Sequence, residues 1–229
     1  MGISYNSAIK ISYGQTLTLG RPDTRSAAAA AEEDAAPLVY MKAASGLQAL
    51  VQNAGLQVQE LGALEELATR PQRSGPTCLV LHLAASTPDN VALVDELLDL
   101  PATVPFICIA EDIDLATVVS VMKAGALDVL RMPVADASLL DAIRQALQRG
   151  ASVLAQVCQM QELKDRYEAL SQRERQVMTL LASGLLNKQV GGKLGISEIT
   201  VKAHRGRVMN KMQANSFASL VKMATTLAI

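Results

Sequence analysis

The chain has 229 residues, 21 Lys/Arg against 22 Asp/Glu, a net charge of −1, and half of its residues hydrophobic. That length fits one large domain or two small ones at roughly 150 residues each, and the hydrophobic fraction excludes a chain disordered throughout. Three Cys without CxxC spacing and two His far apart argue against a zinc site, and no apolar run reaches the ~20 residues of a membrane span.

The near-zero charge hides an asymmetry. From Ser171 onward there are nine Lys/Arg against two Asp/Glu, a net +7; the preceding 170 residues hold twelve against twenty, a net −8. A basic C-terminal segment on an acidic body points to nucleic-acid binding by one part only. The N-terminus lacks the apolar stretch of a signal peptide, so the chain reads as cytoplasmic.

In chain order, residues 1–36 include SAAAAAEEDAAP and offer no apolar face to pack, which predicts a disordered Ala-rich tail. From Pro37 short apolar runs alternate with helical periodicity. The expected strands are Leu38–Met41, Leu56–Glu60, Cys78–Leu83, Phe106–Ala110 and Asp128–Leu130. Between them lie expected helices at Ser45–Asn53, Ala63–Thr69, Asn90–Asp99 and Leu115–Lys123, and a last one follows at Asp136–Gln148. Strands alternating with helices pair in parallel through right-handed crossovers, so residues 37–148 are expected to form a five-stranded, flavodoxin-like α/β sheet. Asp112 and Asp114 are suited to cap the helix that follows them.

Residues 149–169 form a helical connector. Val153, Val157, Met160, Leu163, Tyr167 and Leu170 recur at steps of three and four. Two readings of that spacing stay open, a short dimeric seam or one long helix packed within its own chain. Were the seam dimeric, Cys158 would be placed for an intersubunit disulfide.

Residues 170–229 read as an all-α unit. Ser171 and Glu174 form a capping box opening one helix, in which Val177, Leu180 and Leu181 face the core. Asn187 is expected to cap the second helix, and Gly191-Gly192 within it costs about 1 kcal/mol per Gly relative to Ala. Gly195 can end that helix in the left-handed conformation, and Ser197 can cap the next. This third helix runs from Glu198 to about Met212 and carries Lys202, His204, Arg205, Arg207 and Lys211. Ile199, Val201, Val208 and Met212 are expected to face the other way. Helix, short Gly-containing turn and basic helix make the helix-turn-helix pattern, whose second helix enters the DNA major groove.

These residues carry a family resemblance. Leu170–Val177, Gly184, Asn187-Lys188, Leu194–Ser197, Thr200-Val201-Lys202, His204-Arg205, Met209 and Lys211-Met212 closely resemble the LuxR/FixJ-type DNA-binding domain over about sixty residues. Lys188, Thr200, Lys202, Arg205, Arg207 and Lys211 are then the phosphate-reaching donors. The resemblance implies that Lys202, Ala203 and Gly206 face the bases. Ala203 offers only a methyl and Gly206 only room, so readout would fall mainly on Lys202, with Arg205 or Arg207 reaching guanine.

The α/β domain resembles a response-regulator receiver, most clearly over Phe106–Val134, with VMKAGALDVLRMPV matching the family's fourth helix, turn and fifth strand. Its chemistry departs from that family. Val39-Tyr40-Met41-Lys42 stands where the acidic Mg²⁺ pair belongs. His82 replaces the phospho-accepting Asp, Ala110 the switch Thr/Ser, and Met132 the Lys before Pro133. Phosphoryl transfer needs metal ligands, a nucleophile and neutralising donors, and all are replaced together. His82 is read as a strand-end His hydrogen-bonded to backbone or water, with phosphorylation or ligand binding as the other reading.

The sequence therefore predicts a FixJ/LuxR-type regulator with a degenerate receiver, independent of aspartate phosphorylation, that binds double-stranded DNA as a homodimer. The alternative is an interaction protein that pairs with an intact response regulator or a sensor. A small ligand at the receiver is a third candidate partner. No phosphate loop, nucleophile elbow or paired carboxylate motif is present, so no enzyme activity, metal or cofactor is expected.

Overall fold

A computed structural model describes residues 34–70, 73–83, 95–112 and 114–229. Five strands carry the first part: β1 (Leu38–Lys42), β2 (Gln57–Glu60), β3 (Thr77–Leu83), β4 (Phe106–Ala110) and β5 (Asp128–Arg131). They form one parallel sheet in the order β2-β1-β3-β4-β5. Register is set by pairs such as Leu38 with Gln57, Leu38 with Thr77, Leu79 with Phe106 and Ile107 with Asp128. This is the expected doubly wound α/β fold.

The strand pattern explains the layers. β3 and β4 are apolar almost throughout because both faces of the sheet are covered. Side chains alternate across the pleat, so Tyr40, Leu79, Leu81, Phe106 and Cys108 join one core while Val39, Met41, Val80, Ile107 and Ile109 join the other. The first core is closed by Leu67 of α2 (Glu65–Thr69), Leu97 of α3 (seen over 95–98) and Val121 of α4 (Leu115–Lys123). The second is closed by Val51 of α1 (Gln48–Asn53) and by Leu139, Ile143 and Ala146 of α5 (Asp136–Glu168).

Several boundaries move for local reasons. The first expected helix opens as a 3-10 turn, Ser45–Leu47, before α1. α2 starts two residues later than expected because the Glu66 carboxylate accepts the backbone N–H groups of Gly62 and Ala63. At α4, Asp114 is the N-cap and accepts from the Thr117 backbone N–H at 2.9 Å, while Asp112 is exposed. Of the expected Asn90–Asp99 helix only 95–98 fall among the described residues as helix, and residues 1–33 of the expected tail also lie outside them. Residues 34–36 are tied down. Asp34 accepts the Ser74 N–H at 3.0 Å, and a Cβ on Gly75 would sit 2.3 Å from the Ala35 carbonyl oxygen.

The connector is helical as expected, and it is continuous with the last helix of the sheet unit. Asp136–Gln148 and the following segment form one unbroken helix of 33 residues, α5. Gly150 does not interrupt it. A Cβ there would lie 2.6 Å from the Thr77 carbonyl oxygen and 3.3 Å from Pro105, so this glycine lets the helix pass close under the sheet. The heptad-like residues are divided between uses. Leu163 and Tyr167 pack within the chain against the C-terminal helical unit, Leu170 is buried in that unit's core, and Val157 is left 39% exposed.

Candidate nucleic-acid interface

Four helices follow α5: α6 (Gln172–Ala182), α7 (Asn187–Leu194), α8 (Glu198–Lys211) and α9 (Phe217–Thr226). Their core has two parts. Leu170, Met178, Val208, Met212 and Leu220 make one, and Val177, Leu181, Val190 and Val201 the other. The capping box at Ser171 forms as the sequence predicts. The Glu174 N–H donates to Ser171 Oγ at 3.3 Å and the Ser171 N–H donates to Glu174 Oε2 at 2.9 Å.

The turn of the helix-turn-helix is equally local. Gly195 adopts φ +66°, left-handed, ending α7, and Ser197 Oγ accepts the Thr200 N–H at 3.1 Å to start α8. Asn187 does not cap α7. The cap position is Leu186, whose N–H donates to Gln189 Oε1 at 2.8 Å, because the side chain three residues on reaches back first. Gly191 also has a use that helix propensity does not capture. A Cβ on it would lie 2.7 Å from the Ile196 carbonyl oxygen, so the close packing of the turn onto α7 requires glycine there. Gly192 beside it faces open space.

α8 presents its charges unevenly. Val201, Val208 and Met212 are buried as expected, but Ile199 is 79% exposed. It stands in the first turn of α8, on the side away from the core. Lys202 is exposed and its ammonium lies 3.1 Å from Glu198 one turn earlier. Thr200, Ala203, Gly206 and Arg207 are exposed, as is Lys188 at the start of α7. Arg205 is half-buried, its guanidinium 4.9 Å from the centre of the Phe217 ring. Lys211 also turns inward, donating to Glu174 Oε2 at 2.8 Å and to the Ala169 carbonyl at 3.1 Å.

The charge surplus therefore has two jobs. Arg173 donates to the Leu194 carbonyl at 2.6 Å, bracing α6 against the end of α7. Arg175 donates to the Glu168 and Leu170 carbonyls at 2.7 and 3.1 Å and stacks over Tyr167, locking the junction of α5 and α6. Neither role is written in spacing, since the acceptors are backbone carbonyls at a helix end. Hydrogen bonding by Lys211, then by the Ser171 N–H, holds the Glu174 carboxyl down to about 2.

In the α/β part, His82 is the last residue but one of β3 and pairs in register with Ile109. Its Nε2 lies 3.6 Å from Glu111 Oε1, too long for a hydrogen bond, and has no hydrogen-bond partner among the described residues. Ala110 and Met41 are buried, and Met132 packs against the core that holds Val39 and Met41. Burial pushes the Cys78 and Cys108 thiols up to about 12, whereas Cys158 is exposed on α5. No group of three or more metal-ligating side chains occurs among the described residues, and no described helix is long and apolar enough to cross a membrane.

A parallel five-stranded α/β unit joined by a continuous helix to a basic helix-turn-helix defines a DNA-binding response regulator. Residues 168–224 match the family model for bacterial regulatory proteins of the luxR family. The chain is 39% identical over 180 residues to nodulation protein W of Bradyrhizobium diazoefficiens, spanning 79% of each chain. It is 38% identical over 146 residues to the transcriptional regulatory protein FixJ of Rhizobium meliloti, covering 64% of this chain and 72% of that one. Among solved structures, the response regulator StyR superposes with a TM-score of 0.65 at 30% identity, covering 83% of this chain and 99% of that one. The chain belongs to the LuxR/FixJ-type response regulators, DNA-binding regulators of transcription.

Proposed function

We propose that this regulator works without aspartate phosphorylation, as a cytoplasmic homodimer that reads DNA through α8. The observation that carries this reading is the concerted replacement at the C-terminal edge of the sheet. His82 takes the place of the acceptor, β1 runs through apolar Val39 and Met41 to Lys42 and is followed by Ala43 and Ala44 without a metal-binding carboxylate, and Ala110 and Met132 cannot bond a phosphate. A receiver freed from phosphoryl chemistry acts as a scaffold. Leu115, Val119 and Met122, at spacing i, i+4 and i+7, lie exposed along α4 and supply an apolar stripe for pairing with a second copy. Residues 34–148 are then the receiver, the second half of α5 the connector, and residues 170–229 the DNA-binding domain.

On DNA, Lys188, Thr200, Lys202 and Arg207 are the phosphate-reaching groups, Lys202 also reaches toward the bases, and Ala203 and Gly206 lie at the groove floor. Arg205 and Lys211 position the helix from behind through Phe217 and Glu174. Two copies place their α8 helices on half-sites about one DNA turn apart. The test is DNA affinity and intact mass after incubation with acetyl phosphate and Mg²⁺. Neither changes in this reading, and a phosphoryl adduct with markedly tighter binding would overturn it.

A further inference from the structure

Successive residues of an α-helix are rotated by about 100°, so residues at i, i+4, i+7 and i+11 share one line along it. In α8 the buried residues Val201, Val208 and Met212 define the inner line. The line roughly 180° away from it is Ile199, Ala203, Gly206 and Asn210, all exposed. The outermost surface of the recognition helix is therefore uncharged, and the cations Lys202 and Arg207 flank it. Ile199 is the one bulky apolar side chain on that line. It adds nothing to the core, and its β-branched side chain does not favour helix.

We propose that Ile199 is a specificity-determining residue, packing against the 5-methyl group of a thymine in the major groove. The N-terminal turn of a recognition helix is the part that meets base edges. Thymine is the base that presents a methyl in that groove, and it is recognised by apolar contact. Lys202, its ammonium 3.1 Å from Glu198, stands beside this line rather than on it. A docking site for another protein fits less well, because the exposed neighbours of Ile199 along α8, Thr200, Lys202 and Ala203, add no further bulky apolar side chain.

This inference rests on the insertion of α8 into the groove, so the experiment separates the two. The full chain first selects its operator from random duplex DNA, and each thymine of that operator is then replaced singly by deoxyuridine, which removes only the methyl. Wild type is expected to lose about fourfold in affinity at one position per half-site, the worth of one buried methyl. Ile199→Ala is expected to fold normally and to be indifferent to the methyl there. Wild-type binding that tolerates every replacement overturns the proposal, as does an equal loss in Ile199→Ala, which would give the methyl to Ala203. Altered self-association of Ile199→Ala with unchanged methyl sensitivity overturns it too, and assigns Ile199 to a protein contact. Failure to enrich any sequence overturns groove reading itself, and the proposal with it.

Discussion

Lys211 Nζ lies 2.8 Å from Glu174 Oε2, joining the last turn of α8 to the first turn of α6 across 37 residues of sequence. Glu174 is 4% exposed, and its carboxylate also accepts the Ser171 N–H, so one buried anion serves a helix cap and an ion pair together. Removing Lys211 leaves that anion half-satisfied, which costs about 2 kcal/mol. Lys211→Met should lower the stability of the DNA-binding domain by that amount in denaturant titrations of the full chain.

The same pair has a pH signature. Its folded carboxyl titrates at about 2 against an ordinary 4.5, so the stabilisation is complete above the unfolded value and is lost as pH falls through the window between them. Stability measured from pH 6 down to pH 2 should decline less steeply in Glu174→Gln than in wild type. Equal slopes would show that Glu174 is not the titrating group.

Adjacent glycines in α7 should respond in opposite directions. Gly192→Ala meets no atom within 4 Å and gains about 1 kcal/mol from helix propensity. Gly191→Ala drives a methyl against the Ile196 carbonyl and costs about 1–3 kcal/mol. Thermal melts of the two variants give the comparison.

Phosphate contacts and structural cations separate by salt. Lys188→Ala and Arg207→Ala should each flatten the dependence of log affinity on log salt by about one unit, uniformly across sequences. Lys211→Ala should leave that slope as it is, because its ammonium is spent on Glu174 and Ala169.

Thiol reactivity should single out one cysteine. Cys158 is exposed on α5, whereas Cys78 and Cys108 lie within the sheet with their thiols held protonated. One thiol per folded chain should react quickly with a thiol reagent and the other two only on unfolding.

What the sequence made legible follows from how locally each feature is determined. The β3 and β4 runs, the Ser171 box, Gly195 and Ser197 depend on neighbours within a few residues, and each forms where the pattern places it. The tertiary roles were hidden. Nothing near Lys211 announces Glu174, nothing near Gly191 announces the Ile196 carbonyl, and a basic count cannot tell Arg207 from Arg175, whose guanidinium is held on backbone oxygens. An apolar side chain such as Ile199 invites an inward reading, but it stands two residues from buried Val201 and so about 200° around the helix. At the first turn of α8 the helix geometry overrides that.

The unbroken α5 makes the distance between sheet and DNA-binding unit a matter of angular phase. A rigid helix transmits rotation as well as spacing, at about 100° and 1.5 Å per residue. One residue added between Gly150 and Leu163 would turn α8 through more than a quarter circle around the α5 axis while lengthening the molecule by only about 1.5 Å. Seven added residues would restore the heading to within about 20° at roughly 10 Å greater reach. The connector thus behaves as a keyed shaft, in which the count of residues, more than their identity, aims the reading helix.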